Sequence, residues 1–253
     1  MLRVMTLNIN YYVEKHGPWR SRRTLIEQAI RAASPDIVAL QAVARRPDME
    51  NGRDQASQLA GSLPDYRHFV FLPAMEDSAT RGERGSALLS RIPIARIDQH
   101  PLTLIPTLED TDRRTILYAQ FDLAGGPLHL FNAHFSWVAQ QGGKNVEETL
   151  AYLHSYTGPA LMVGDLNARP DAAHIQALAM AGWIDVWAKF RPDEPGFTFE
   201  SSNPTQRIDY AWASADLENR LTGIELVADH ADDEGHHASS HFGLVVSVNL
   251  DAP

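Results

Sequence analysis

The residues best suited to chemistry lie in the GDLN segment at 164–167, directly after the apolar run ALMV at 160–163. This run predicts a buried strand ending at residue 164, followed by a turn and then a helix from about residue 171. Ligands bind at strand ends in α/β proteins, so the carboxylate of Asp165 and the amide of Asn167 are candidate catalytic groups. An ordinary turn, in which these side chains bond the nearby backbone, is the competing interpretation.

Other strand-like runs also end in polar residues. Apolar segments lead into Asn8, Gln41 and His134, and each puts a polar group where the chain leaves the core. Near the C-terminus, Asp209 is embedded in the strand pattern RIDYAW, and His241 directly precedes the pattern FGLVV. A buried carboxylate or imidazole costs several kcal/mol unless it is paired. Asp209 and His241 are therefore predicted to pair with each other.

In this order, the motifs resemble the endonuclease/exonuclease/phosphatase superfamily of metal-dependent phosphoesterases. That superfamily includes pancreatic-type deoxyribonuclease, abasic-site endonucleases, neutral sphingomyelinases and inositol polyphosphate phosphatases. The matching blocks, between Leu2 and Val248, are TLNI, PDIVALQ, NAHF, GDLNARP, RIDY and SSHFGLVV.

The resemblance implies roles for five candidate catalytic residues. Family members activate water for in-line attack on phosphorus with a histidine at the position of His241 and an aspartate at that of Asp209. An imidazole that titrates near neutrality needs a fixed tautomer and a stabilised cation, which explains the pair. Asp165 and Asn167 match residues that orient the nucleophile and bind a phosphate oxygen. His134 matches a second histidine, which donates to a phosphate oxygen or protonates the leaving group.

Three further residues are candidates for substrate binding. Asn8 matches an amide near the metal and the phosphate. Arg114 resembles a basic residue that family members use against the phosphate, although a solvated surface arginine is an equal alternative. Trp137 lies three residues after His134 and is predicted either to form a wall for the leaving group or to pack in the protein.

The chain departs from the family where the magnesium ligand is expected. The PDIVALQ block continues in the family with a glutamate, the principal ligand of the catalytic magnesium, whereas this chain has Ala42. A methyl group offers a hard cation no oxygen, so binding of Mg²⁺, with Mn²⁺ as an alternative, is expected to be weak or absent. Ser240 replaces a usual aspartate, and Asn10 replaces an aspartate found in some relatives.

Three explanations for Ala42 remain open. The chain has lost activity and now binds phosphate, or the ligand has moved to the acidic loop at 229–237, or a glutamate was deliberately replaced by alanine. We favour deliberate replacement of the glutamate, because a protein that had lost its catalytic activity would have little reason to keep the other candidate residues together. For the loop at 229–237, a solvated acidic segment is the preferred interpretation. Ser240 is not explained.

Composition sets the outer limits. With 253 residues, 44% of them hydrophobic, and no linker, the chain is predicted to form a single domain over residues 1–253. The lack of cysteine excludes disulfides and thiolate catalysis. No apolar run is long enough to cross a bilayer, so no membrane insertion is expected. No signal-peptide pattern follows Met1, which predicts a cytoplasmic location.

The net charge of −10 argues against a protein that grips duplex DNA through many phosphates. A small-molecule phosphoester is therefore preferred to nucleic acid as the partner. Two arginine clusters are expected to lie on solvated faces rather than in a nucleic-acid groove: Arg20, Arg22 and Arg23, and Arg81, Arg84 and Arg91.

The elements alternate along the chain. Helices are predicted at 20–33, 55–62, 145–155 and 172–181, and strands at 2–9, 86–90, 115–123 and 128–132. Strand pairs joined by tight turns between helices indicate mixed sheets. The fold class expected is α/β (α+β), a four-layered sandwich of two mixed β-sheets flanked by helices, as the resemblance also implies.

The predicted function is a metal-dependent phosphoester hydrolase, a phosphodiesterase or phosphatase. It would act on a small organic or lipid-derived phosphate and would be impaired in this chain by Ala42. The alternatives are a DNA or RNA nuclease and a catalytically silent phosphate-binding protein.

Overall fold

Two six-stranded β-sheets pack face to face in the computed structural model, which describes residues 1–249. The first sheet has the order β11 (Leu221–Val227), β12 (Gly243–Val248), β1 (Leu2–Asn8), β2 (Ile37–Arg45), β4 (Gly82–Ser90), β3 (His68–Asp77). The second has the order β5 (Arg96–Pro101), β6 (Thr115–Leu123), β7 (Gly126–His134), β8 (Ala160–Asp165), β10 (Asp209–Ala213), β9 (Ile184–Asp185). The helices are α1 (Trp19–Ala33), α2 (Gln55–Ser62), α3 (Ala139–Leu153), α4 (Ala173–Met180) and α5 (Val186–Phe190).

Three apolar clusters separate four layers of structure. The central cluster joins the inner faces of the two sheets, with Val4 of β1 and Leu130 of β7 among its members. A second lies under α1 and α2 and includes Met5 of β1. A third lies under α3 and α4 and includes Phe131 of β7. The inner strands are covered on both faces, which explains their near-continuous apolar sequences. The predicted four-layered sandwich is confirmed.

Both sheets are mixed, as expected. The pairs β1–β2 and β7–β8 are parallel, whereas β1–β12, β2–β4, β6–β7 and β8–β10 are antiparallel. In each parallel pair the carboxyl ends of two strands lie at the same edge of the sheet. β1 and β8 also contact each other across the sandwich. The polar residues that end these strands are therefore brought to one end of the molecule.

Several elements differ from the sequence expectation. The helix at 55–62 and the strand at 115–123 are found at the predicted residues, but α3 runs from Ala139 to Leu153 instead of 145–155. Gly142 and Gly143, with low helix propensity, obscure its first turns in the sequence. The sequence pattern does not indicate β3, β5 and β11, whose residues are mostly only partly buried. Within residues 1–249, no helix is long and apolar enough to cross a membrane.

Candidate active site

Strand register brings three candidate side chains together at the end of the second sheet. His134 on β7 and Asp209 on β10 both lie opposite Asp165 on β8. The strands approach closely here because Gly164 has a φ of 140°, and a Cβ at this position would lie 1.9 Å from the carbonyl oxygen of Ala133. Only glycine fits that approach.

Two buried amide bridges connect the sheets next to these residues. The Nδ2 of Asn8 donates to Oδ2 of Asp165 over 2.8 Å. The Nε2 of Gln41 donates to Oδ1 of Asn132 over 2.7 Å, and Nδ2 of Asn132 donates to the carbonyl oxygen of Leu40 over 3.0 Å. Buried hydrogen bonds of this kind are costly to break, so they fix the relative position of the strand ends, although Oε1 of Gln41 has no partner among the described residues. Asn132 was not among the residues that the sequence indicated.

Asp165 lies at the centre of the site. Its Oδ1 accepts the backbone N–H of Asn167 over 2.8 Å. Its Oδ2 accepts from Asn8 and lies 3.5 Å from Nε2 of His134 and 3.8 Å from Nε2 of His241. One carboxylate therefore contacts, or lies close to, groups from both sheets and both candidate histidines.

His241 and Asp209 form a buried pair, with Nδ1 of the imidazole 2.9 Å from Oδ2 of the carboxylate. Burial lowers the pKa of His241, but the Asp209 and Asp165 carboxylates outweigh this effect and raise the pKa to about 9. Burial, opposed by the His241 cation, raises the pKa of Asp165 to about 6. Burial, the Arg114 guanidinium and the His241 cation hold the pKa of His134 well below 6.5. At neutral pH the site therefore contains one cationic and one neutral imidazole.

Asn167 follows this cluster in the turn after β8. Its backbone has a left-handed φ of 51°, a conformation that asparagine tolerates better than most residues. Its Nδ2 donates to the carbonyl oxygen of Phe135 over 2.9 Å. The side chain is thereby held between the loops that follow β7 and β8.

Position 42 lies in a β-bulge of β2. The register with β4 shifts between Leu40 and Val43, and Ala42 has a φ of 51°. The carbonyl oxygen of Ala42 accepts the N–H of Tyr11 over 2.7 Å. Bulges next to active sites redirect a side chain, and a left-handed alanine costs about 1–2 kcal/mol. The backbone thus keeps a strained geometry at the position where the glutamate expected from the family resemblance is missing.

The residues present do not fit a protein-held magnesium ion. Ala42 provides no oxygen from its side chain. The Oδ1 of Asn8 already accepts the N–H of Asn10 over 2.8 Å, and both oxygens of Asp165 accept hydrogen bonds. Magnesium requires near-octahedral oxygen coordination and gives up its water reluctantly. Among the described residues, the buried oxygen left without a hydrogen bond beside Asp165 is Oδ1 of Asp209, which is too little to offset the cost of removing water from the ion.

One group of three metal-capable side chains occurs within residues 1–249: Asp165, Asp209 and His241, whose ligand atoms lie within 4.8 Å of one another. Its atoms contact one another and Asn8, except that Oδ1 of Asp209 is buried without a hydrogen-bond partner among the described residues. We therefore interpret this group as one that holds and moves protons.

The acidic loop at 229–237 pairs its own charges. The Nδ1 of His230 lies 2.7 Å from Asp229, and Nδ1 of His236 lies 3.0 Å from Asp232. No residue of this loop belongs to the metal-capable group described above. The local pairing favours a solvated loop over a relocated metal site.

Arg114 is buried beside the site and is not a solvated surface residue. Its Nη2 donates to Asp110 over 2.8 Å, and it lines a narrow cleft together with His134, Tyr11 and Arg84. The guanidinium of Arg84 lies 5.2 Å from the ring centre of Tyr11, and burial raises the pKa of this phenol to about 12. Sequence reasoning missed Tyr11 as a site residue, although its position three residues after Asn8 is a usable signal.

The expectation that the two arginine clusters are solvated is wrong for Arg22. This side chain is fully buried and donates to the backbone carbonyl oxygens of Ile9, Tyr11, Val13 and Ala238. Arg84 is only partly exposed and, as described, faces the cleft. Because backbone carbonyls in loops need donors, a buried guanidinium can replace water there.

Trp137 lies on the other side of the site and is 54% exposed. It borders an open cavity of about 310 Å³ that Asn167 also lines. The structure thus places Trp137 near the candidate site without burying it in the core. It brings the remaining predicted residues, Asn8, Ala42 and Arg114, to the same end of the sandwich.

Comparison with known proteins agrees with the family resemblance seen in the sequence. The model of the Endonuclease/Exonuclease/phosphatase family matches residues 5–240. No curated protein sequence matches the chain. Among solved structures, an endonuclease/exonuclease/phosphatase from Bacteroides vulgatus has a TM-score of 0.80 at 18% identity, with 99% of each chain covered.

Two further structures differ in what they act on. The mannosyl-6-phosphatase Bt3783 of Bacteroides thetaiotaomicron has a TM-score of 0.76 at 16% identity, covering 98% of this chain and 99% of its own. TDP2 of D. rerio, solved with a single-strand DNA product, has a TM-score of 0.75 at 18% identity, with 98% of each chain covered. At these identities the likeness establishes the fold alone, and it is the family model that decides membership. The chain belongs to the endonuclease/exonuclease/phosphatase family.

Proposed function

We propose that this protein is a phosphoester hydrolase that acts on a small organic phosphate and is impaired by Ala42. The observation that carries the proposal is the buried pair of His241 and Asp209, whose free Nε2 faces Asp165. A histidine with one nitrogen fixed by a carboxylate and the other directed at a polar site is the arrangement used for general-base activation of water.

In the proposed reaction, neutral His241 takes a proton through Nε2 from a water molecule as the water oxygen bonds to phosphorus and the P–O bond to the alcohol breaks. The alcohol leaves with the electron pair of that bond and takes a proton from solvent, and the His241 imidazolium later returns its proton to solvent. Asp209 stabilises this imidazolium. Asp165 and Asn167 orient the water and a phosphate oxygen. His134 stays neutral because of its burial and keeps an N–H for a phosphate oxygen or the leaving group. In its cationic form, His241 also attracts the phosphate of an incoming substrate.

A small phosphoester is preferred to nucleic acid because the chain carries a net charge of −10. The two similar structures named above include a sugar phosphatase and a protein bound to DNA, so the fold accommodates both substrate classes. A nuclease is therefore the alternative enzyme. A phosphate-binding protein without catalysis is the second candidate function, and Ala42 is the observation that favours it.

A substrate screen separates these functions. The chain and its Ala42→Glu variant would be assayed with magnesium on bis(p-nitrophenyl) phosphate, p-nitrophenyl phosphate, nucleotides, phospholipid headgroups and supercoiled plasmid. We expect hydrolysis of small phosphoesters by the variant and little by the chain itself. Plasmid nicking that exceeds small-ester hydrolysis would favour the nuclease, and phosphate binding with no hydrolysis by either protein would favour the binding protein.

A further inference from the structure

An open cavity of about 310 Å³ adjoins the candidate active site on the side of α3 and α4. Asn167, which we place beside the phosphate, lines it together with Trp137. A group attached to a phosphate at the site would therefore extend into this cavity or into the opposite cleft at Arg114. The opposite cleft holds about 20 Å³ and reaches a second cavity of about 280 Å³ only past the side chains of Tyr11 and Arg84. The cavity that Asn167 itself lines is the more direct place for the alcohol part of the substrate.

Trp137 supplies the apolar surface of this cavity. Its side chain is 54% exposed, although tryptophan is a residue that folding normally covers to a large extent. An exposed indole next to a polar site offers a flat face for a ring and pays little conformational entropy on binding, since only two side-chain torsions must be fixed.

The other walls are polar. Arg169, Asp171, His174 and Gln206 line the cavity, and they offer a guanidinium, a carboxylate, an imidazole and an amide. Within residues 1–249, Nε2 of His174 is buried and has no hydrogen-bond partner, so this nitrogen is not offered to a ligand in the open cavity. Arg169 and Gln206 have only a long contact of 3.5 Å with each other. These side chains therefore have donors and acceptors that can bind a polar ligand. A lipid chain or an unsubstituted aryl ring has no groups to bond with them.

We propose that this cavity binds a sugar ring and that the substrate of the proposed function is a sugar phosphate. A pyranose has an apolar C–H face that fits an indole and a rim of hydroxyl groups that fit mixed donors and acceptors. The cavity volume is at the lower end of the range for small-molecule sites, as suits one ring. The inference rests on the proposed function, because it assumes that phosphate binds next to Asn167.

Calorimetric titration of the unmodified chain tests the proposal without relying on turnover. The probes are inorganic phosphate, glycerol 3-phosphate, phenyl phosphate and glucose 6-phosphate. Glycerol 3-phosphate carries the same phosphate without a ring, and phenyl phosphate carries a ring without hydroxyl groups. We expect glucose 6-phosphate to bind at least tenfold more tightly than either of them.

Variants then test whether the tighter binding of glucose 6-phosphate arises in this cavity. Trp137→Ala should reduce the affinity for glucose 6-phosphate to that for glycerol 3-phosphate and leave inorganic phosphate binding unchanged. Gln206→Ala should weaken glucose 6-phosphate more than phenyl phosphate. The matched control is Phe69→Ala, which removes another exposed aromatic side chain from β3 of the other sheet and should change nothing.

The outcomes distinguish this proposal from the one on which it rests. Phosphate binding with no preference for the sugar, or a preference that survives Trp137→Ala, would overturn the sugar site and leave the proposed function standing. Tightest binding of phenyl phosphate, lost in Trp137→Ala, would replace the sugar by an aromatic alcohol. Failure of every probe to bind, inorganic phosphate included, would contradict the proposed function itself.

Discussion

At the scale of single residues, the site depends on how charge is distributed over Asp165, Asp209 and His241. Two buried carboxylates near one imidazole keep that imidazole protonated, and its cation in turn opposes the rise of the Asp165 pKa. In this state the site attracts an anion. Water activation requires that His241 first lose its proton, so the same charges that favour phosphate binding restrain the base.

The raised pKa of His241 has a consequence for stability. Its pKa of about 9 in the folded chain lies above the unfolded value of 6.5, so the stabilisation is fully present below about pH 6.5 and is lost as the pH rises through 9. We expect the difference in unfolding free energy between the chain and His241→Asn to shrink by on the order of 3 kcal/mol between pH 6.5 and 9.5. Urea unfolding across this range measures it. A difference that stays constant with pH would contradict the assignment.

Asp209→Asn tests the pair directly. Without this carboxylate, the burial that opposes the cation should dominate, and the pKa of His241 should fall from about 9 to well below its present value. Titration of the imidazole resonances by NMR measures the change. Asp216→Asn removes an exposed carboxylate from the 3₁₀ helix at Ala215–Arg220 and is the control. An unchanged His241 pKa in Asp209→Asn would show that the pair does not set the protonation of the site.

At the scale of elements, the polar residues at the strand ends could be predicted from the sequence. The buried residues that hold those strand ends in place could not. An apolar run that ends in Asn8, His134 or Asp165 is visible in the sequence, and parallel pairing brings such ends together. Asn132 and Arg22 look like an ordinary strand residue and an ordinary surface cation, because the sequence does not show which backbone carbonyls they satisfy. Their partners are far away along the chain and exist only after folding.

Among the buried residues that hold the site in place, Arg22 on α1 is the one whose substitution we expect to destabilise the protein most. Its guanidinium binds backbone carbonyls next to Asn8 and Ser239, so Arg22→Met leaves several buried acceptors unsatisfied. We expect a loss of about 3 kcal/mol in unfolding free energy and weaker phosphate binding, measured by urea unfolding and calorimetry. Arg23→Met, which removes a partly exposed arginine from the same helix, should cost less than about 1 kcal/mol. Equal effects of the two variants would contradict this role.

At the scale of the whole molecule, the fold brings the candidate polar side chains of both sheets together around position 42. Residues from both sheets are held in place by buried hydrogen bonds, and the bulge in β2 keeps its strained backbone at Ala42. The sequence shows that alanine occupies position 42. The bulge that orients this residue could not be predicted, because an alanine with a left-handed backbone has no sequence signature.

The absence of a carboxylate at position 42 should make magnesium binding weak. We expect calorimetric titration of the chain to show binding no tighter than about 1 mM, because the cation would be held mostly by water. Ala42→Glu should bind at least tenfold more tightly. Ala79→Glu adds the same charge to an exposed turn and should have no effect. Tight binding by the unmodified chain would indicate that other side chains hold the ion.

The most direct test of the account is magnesium-dependent phosphoester hydrolysis by Ala42→Glu. If the chain lacks only its direct metal carboxylate, restoring it should increase hydrolysis of small phosphoesters by at least ~100-fold, since a bound metal contributes several kcal/mol to stabilising developing charge. Adding His241→Ala or Asp165→Ala to this variant should abolish the gain without unfolding the protein. No hydrolysis by Ala42→Glu of diester, monoester or nucleic-acid substrates, with magnesium or manganese, would contradict the account and favour a phosphate-binding protein.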